Sequence, residues 1–237
     1  MNKYAIFRVP TIREKYSHFR YSILARTRGL KTNSDIENVL LAGYSKGSFK
    51  KYVSISERIN CLVSFVEASN RPAHSKRLLA LGPRFESEIY GYYAMNYRKE
   101  NVYAVDTFSY SKKISLGNIH NPQFESDYFD VIVGGWILTY SQDIELALSE
   151  IYRVQKMSST AIFSWDLPSD VKIKELNLSN LFLPTMDGKK HNFNQIFMKW
   201  DVINVFIGYS TWGKGTPICI VSLQKNRKDI VTDKKFS

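Results

Sequence analysis

A chain of 237 residues, 44% hydrophobic and 14% aromatic, carries enough apolar side chain for a packed core and is incompatible with wholesale disorder. The formal charge of +11 is unevenly spread: residues 1–77 hold 15 Lys/Arg against 5 Asp/Glu, residues 78–170 hold 7 against 12, and residues 171–237 hold 11 against 5. The two cysteines, Cys61 and Cys219, lack metal-ligand spacing and cannot make a disulfide framework, the start lacks the apolar core of a signal peptide, and no run reaches the ~18 apolar residues of a membrane span. The expectation is a cytoplasmic protein without a metal site.

The first third reads as helical. "YSHFRYSILARTRGLK" interleaves basic and aromatic residues. It reads either as an amphipathic helix with its charges in water or as a surface that grips phosphates and stacks bases, and no nucleic-acid motif supports the second view. "SDIENVLLAGYSKG" offers Ser34 and Glu37 as a capping box, followed by Ile36, Val39 and Leu40 on one face. "SISERINCLVSFVEASNRP" repeats the device with Ser54 and Glu57, has Ile55, Ile59, Leu62 and Val66 as its stripe, and ends at Pro72. The expected units are a basic helical extension at 1–76, a domain at 77–225, and a polar tail at 226–237.

From Arg77 the pattern changes. "RLLALG", "NVYAVD", "ISLGNIH", "FDVIVGGW" and "TAIFSWD" read as strands, while "ESEIYGYYAMNYRKE" and "DIELALSEIYRVQK" read as helices. The first helix has Ile89, Tyr93 and Tyr97 as its stripe, and the second has Ile144, Leu148, Ile151 and Val154. Alternation at this interval implies a doubly wound, mostly parallel α/β sheet, with ligands beyond the carboxyl ends of the strands where strand order reverses. "WDVINVFIGYS" and "TPICIVSLQK", flanking "TWGKG", are expected to form an antiparallel C-terminal hairpin.

Gly82 ends the first strand and Asp106 the second, 24 residues further on. A missing Cβ lets backbone approach a ligand, and a carboxylate at the second position can accept from both ribose hydroxyls. Downstream, Gly117, Phe124, Phe129, Asp130, Val131, Leu138, Asp143, Leu148, Glu150, Ile151, Arg153, Val154 and Lys156 are spaced as in the class I S-adenosylmethionine-dependent methyltransferases, which the stretch from Leu78 to Ser164 resembles. The resemblance implies the Rossmann-like methyltransferase fold, S-adenosyl-L-methionine as cofactor, and a small-molecule or sugar- or nucleotide-linked acceptor, with an anionic group allowed by the basic flanks. Nucleic acid is a weaker alternative.

Carried over by position, Leu81, Gly82, Pro83, Arg84 and Glu88 would lie along the methionine part of the cofactor, and Asp106 and Thr107 would hold the ribose. Asn118 and Ile119 would flank the adenine, while Gly134, Gly135 and Trp136 would face the sulfonium and the acceptor. The loop departs from the family in having one glycine, with Arg84 where a second is usual. Asn118 replaces an aspartate, and its amide can both accept from and donate to adenine. Methyl transfer needs a base only when the acceptor is a hydroxyl or a protonated amine, and the candidates are His191, His120 and Tyr140. Two rival readings are a methyltransferase-shaped binding or scaffold protein, with Arg84 or Phe85 filling the methionine position, and a nicotinamide dehydrogenase.

Overall fold

The computed structural model describes residues 2–32, 55–69, 74–83, 85–209 and 216–226. The expected helix at 34–47 with Ser34 and Glu37, the residues Ser54, Pro72 and Arg84, the TWGKG loop and the tail after Asn226 lie outside the described residues, as do the side chains of Ile55, Glu57 and Ile59. Among the described residues, no helix is long and apolar enough to cross a membrane.

Five parallel strands form the middle of the molecule: β2 (Leu78–Leu81), β3 (Val102–Asp106), β5 (Ser115–Leu116), β6 (Phe129–Gly135) and β7 (Gln155–Asp166). β10 (Trp200–Tyr209) and β11 (Pro217–Lys225) extend the sheet antiparallel beside β7, giving the order β10-β11-β7-β6-β2-β3-β5. The doubly wound sheet and its antiparallel C-terminal pair are as expected from the sequence. Chain order runs outward from β2 through β3 to β5, then returns to β6 on the other side of β2. The switch point therefore lies between β2 and β6, the position at which sheets of this kind usually bind their ligands, beyond the carboxyl ends of the strands. β2 is buried along its whole length, which explains why it reads as an unbroken apolar run.

Each face of the sheet has its own apolar layer. On one, helix α4 (Ile144–Val154) presses Ile144, Ala147, Leu148, Ile151 and Val154 against Leu79, Leu81, Ile132, Phe163 and Trp165. Asp143 caps this helix by accepting from the Leu146 amide at 2.9 Å. On the other, helices α2 (Ile55–Ser69) and α3 (Glu86–Ala94) cover Leu78, Ala80, Val131 and Val133. A short hairpin, β8 (Phe182–Pro184) with β9 (Lys190–Asn192), and the one-turn helix α5 (Phe193–Ile196) fill the stretch between β7 and β10.

Helix α3 differs from its expected form. It ends at Ala94, Asn96 takes a left-handed φ of 78°, and Tyr97 follows the helix while still packing into the same cluster. The expected amphipathic stripe is absent, because every residue of α3 is buried. Its outer side is covered by helix α1 (Pro10–Arg28), whose last residues lead into β1 (Lys31–Thr32), paired antiparallel with β4 (Phe108–Ser109). Gly91 permits this crowding: a Cβ there would lie 3.0 Å from Val63 and 3.3 Å from Arg13.

Helix α1 leaves Lys15, Arg26 and Arg28 exposed, as an amphipathic helix with charges in water would, but not every charge follows that reading. Arg13 and Ser17 are buried and Arg20 reaches inward, while Ile12, Tyr16, Phe19 and Ile23 are exposed, Phe19 by 62%. The cause is Glu86, in the first turn of α3 and wholly buried. An unpaired carboxylate there would cost several kcal/mol. Instead Arg20 pairs with both of its oxygens, Ser111 donates to one, Tyr90 donates at 3.1 Å and Lys113 stands at 3.4 Å. Burial pushes this carboxyl up, but those partners outweigh it and hold it below the usual carboxylate range. The Arg20 guanidinium is correspondingly held above its usual range by Glu86. Replacing Arg20 with Met should therefore destabilise the protein by about 3 kcal/mol, the low end for a broken buried pair because Lys113 and Ser111 remain. Urea unfolding of the two proteins at pH 7 measures the difference.

Candidate active site

Gly82 makes the bend that follows β2. Its φ of 68° is in the left-handed region, and its amide donates to the Val105 carbonyl at 2.8 Å, which ties the bend to the end of β3. A Cβ at Gly82 would come within 2.8 Å of Ile137 Cδ1, and a Cβ at Gly134 within 2.8 Å of Ile137 Cγ2. Ile137 thus lies over both glycines, across the switch point. It is half-buried, so part of its apolar side chain stays accessible. Leu81 and Pro83 are buried beneath the bend. Phe85 is buried as well, but its ring packs against Tyr21 and Tyr110 under the N-terminal helix.

Asp106 closes β3 and is half-buried. Its Oδ1 accepts from the Phe108 amide at 3.1 Å and from the Thr107 hydroxyl at 3.3 Å, a turn that fixes the carboxylate at the strand end. Glu88, from the second residue of the α3 turn after Glu86, is buried nearby and accepts from the Tyr92 hydroxyl at 2.6 Å. Burial, assisted by the Asp106 charge, pushes the Glu88 carboxyl up to about 7 against the opposing effects of Tyr92 and Arg13. Glu88 takes up and gives back a proton near neutrality.

Asn118 and His120 form a unit beyond β5. The Asn118 amide oxygen accepts from the His120 amide at 3.0 Å and lies 2.6 Å from His120 Nδ1. His120 Nε2 accepts from the Asp143 amide at 3.4 Å and meets the Ser141 hydroxyl at 2.9 Å. This pattern assigns the ring proton to Nδ1. Both ring nitrogens are used to join the β5 loop to the start of α4. With its oxygen engaged, Asn118 has its amide NH2 left for a ligand. Ile119 is buried in the α4-side core.

After β6, Gly135 leads into Trp136, whose φ of 59° is unusual for a bulky residue. The conformation is held from three sides. Trp136 N donates to the Ser164 carbonyl at 2.7 Å, its indole Nε1 donates to Asp166 at 2.8 Å, and its carbonyl accepts from Thr139 at 2.6 Å. The Met186 amide donates to the Thr139 carbonyl at 3.0 Å, so the β8–β9 hairpin reaches the same mouth. Tyr140 is exposed there, and His191 lies on the hairpin, 3.4 Å from the Thr185 hydroxyl. The structure brings Gly82 to Gly134 through Ile137, Asp106 to Thr107, and Asn118 to His120. It binds His120 into the scaffold and leaves His191 on a separate element. Sequence reasoning gave Ile137 no role, and no local signal marks it. The two acids in the first turn of an otherwise apolar helix, Glu86 and Glu88, stand out as a candidate source of negative charge for the loop, but the burial of Glu86 and its pairing with Arg20 were not foreseen.

Residues 79–163 match the family model described as a methyltransferase domain. Over that segment the chain is similar to the methyltransferase domain family. Solved structures agree on the fold. A protein from Listeria monocytogenes assigned as an S-adenosylmethionine-dependent methyltransferase superposes with a TM-score of 0.50 at 17% identity, over 70% of this chain and 99% of its own. A chain of the complex between the Haloferax volcanii Trm112 methyltransferase activator and its assigned methyltransferase reaches 0.54 at 10% identity, over 74% and 93%. The [4+2]-cyclase SpnF reaches 0.51 at 11%, over 72% and 81%. No curated protein sequence is significantly similar to the chain.

Two measurements check this geometry. Because the folded carboxyl of Glu88 titrates above its unfolded value of 4.5, the native state binds the extra proton, and stability falls as pH rises from about 4.5 to 7. Glu88→Gln keeps an acceptor for Tyr92 and should remove this slope, leaving the variant about 2 kcal/mol more stable than the parent at pH 8 but not at pH 4.5. Denaturant midpoints across pH give the comparison. Gly82→Ala, which forces a Cβ into a left-handed bend and against Ile137, should cost about 1–2 kcal/mol in the same assay.

Proposed function

We propose that the protein moves a methyl group from S-adenosylmethionine to a small or medium-sized acceptor, with an anionic acceptor favoured by the basic flanks. The observation that carries this reading is the left-handed Gly82 bend at the switch point, tied by its own amide to the strand that Asp106 closes. The similarity to the methyltransferase domain family spans both residues and supports the reading.

The cofactor, when bound, supplies an electrophilic methyl on a sulfonium. The protein's part is then mainly positioning and exclusion of water. Asp106 is suited to accept from the ribose hydroxyls, with Thr107 beside it. The Asn118 NH2 is suited to donate to an adenine ring nitrogen. Gly82 and Gly134, with Ile137 between them, give a narrow apolar floor that keeps the cationic end close to backbone carbonyls. Glu88, near Asp106, adds negative potential as pH rises through neutrality. Trp136, locked by Asp166, walls the side where an acceptor enters between the Trp136–Tyr140 turn and the β8–β9 hairpin.

The structure bears on the proposed bases. With both ring nitrogens engaged, His120 is a poor proton acceptor and serves to orient Asn118. His191 and Tyr140 keep groups at the mouth, and they matter only for a hydroxyl or ammonium acceptor. Ile137 favours a second reading, a methyltransferase-shaped binding protein whose crevice excludes the cofactor, since its side chain rests directly on the two glycines.

Titration calorimetry with S-adenosylhomocysteine separates the two. The enzyme reading expects binding in the micromolar range, a loss of at least tenfold in Asp106→Ala, and a smaller loss in Asn118→Ala. Absence of any binding by the wild-type chain at millimolar ligand would establish the second reading instead.

A further inference from the structure

Between Asp106, which ends β3, and Ser115, which starts β5, the chain crosses between parallel neighbours in eight residues that contain only the two-residue strand β4. Parallel crossovers usually take a dozen residues or more and a helix, which covers the sheet beside the strands it joins. Here the N-terminal extension stands in that place. The end of α1 and strand β1 lie against β4, with Lys31 opposite Ser109 and Thr32 opposite Phe108. The substitution is incomplete, and it leaves a cavity of about 640 Å3 between the extension and the short crossover. A volume of this size suits a small molecule.

The chemistry of the lining is one-sided. Arg28 and Lys31 come from the extension, and Lys112 from the crossover, while no acidic residue among the described residues lines the cavity. Among the described residues, none of these three cations has a hydrogen bond or an ion pair, whereas the neighbouring Lys113 is turned to Glu86. Gly29, with φ of 70°, lets the chain turn between Arg28 and Lys31 so that both face one space. Ser115 adds an exposed hydroxyl, and Leu116 is 42% exposed as an apolar wall. Three cations, unpaired among the described residues, around an open, partly apolar cavity form a site for an oxyanion attached to an organic body.

We propose that this cavity binds a phosphate-bearing small molecule through Arg28, Lys31 and Lys112, at a site separate from the cofactor crevice. The assignment does not depend on methyl transfer. It does place the ligand next to the crevice, because Leu116 is the register partner of Asp106. It also gives the positive charge of the N-terminal segment a specific use beyond its pairing with Glu86.

The test is calorimetric titration of the full chain with inorganic pyrophosphate at low ionic strength, with S-adenosylhomocysteine titrated in parallel. Lys31 and Lys112 are exposed, so Lys31→Glu/Lys112→Glu should fold normally, with an unchanged melting temperature as the check. A charge-matched variant elsewhere, Lys174→Glu/Lys199→Glu, controls for the loss of overall positive field. The expected result is binding by the wild type, weakened at least tenfold by the cavity variant and less than twofold by the control, with S-adenosylhomocysteine binding the same in all three. No pyrophosphate binding by the wild type, equal weakening in both variants, or displacement of pyrophosphate by S-adenosylhomocysteine would each overturn the proposal. Because the two ligands are read separately, failure here is distinct from failure of the methyltransferase reading.

Discussion

A single buried carboxylate, Glu86, organises the junction between the N-terminal segment and the sheet. It has no water around it, so its charge must be met by protein groups, and they come from three separate places: Arg20 from α1, Tyr90 from its own helix, and Ser111 with Lys113 from the β3–β5 crossover. The Glu86 amide also donates to the Tyr110 hydroxyl at 2.9 Å, which fastens the same crossover to the first turn of α3. Meeting one charge therefore sets the rotation of α1, the seat of α3 and the path of the crossover together. The inward turn of Arg20, while Ile12, Phe19 and Ile23 stay exposed, is a consequence of that requirement.

The site beyond the strands inherits its shape from these constraints. α3 holds Glu88 next to Asp106, and the crossover sets the turn that follows Asp106. On the opposite side of the switch point, the bonds from Trp136 to Ser164 and Asp166 hold a left-handed residue that aims Ile137 across Gly82 and Gly134. Strain of this kind persists only where the surroundings over-determine it, and it gathers where ligands bind.

Much of the sheet was legible because its determinants are local. The unbroken apolar run at Leu78–Leu81, the spacing of Ile144, Leu148, Ile151 and Val154, and the cap at Asp143 each specify one element without help from the rest. Gly82 and Asp106 were readable for the same reason, as a bend and a strand end. The orientation of α1 was not, since periodicity marks which residues share a face but not which face is buried. That choice depends on Glu86, 66 residues away from Arg20. The commitment of the Asn118 oxygen to His120 and the position of Ile137 were hidden likewise, because they arise from contacts among loops brought together by the sheet. The end of α3 at Ala94 was misjudged because Tyr97 keeps packing after the helix has stopped.

The burial of α3 on every side has a consequence for evolution and for engineering alike. A helix with no wetted surface cannot be inherited without its cover, so the sheet and the N-terminal arm have to change in concert. A chain cut just before Leu78 would present an apolar helix bearing two naked acids to solvent, and self-association is the outcome such a fragment invites. In this protein the arm serves as the missing outer wall of the fold, and a graft that moved only the recognisable domain would leave that wall behind.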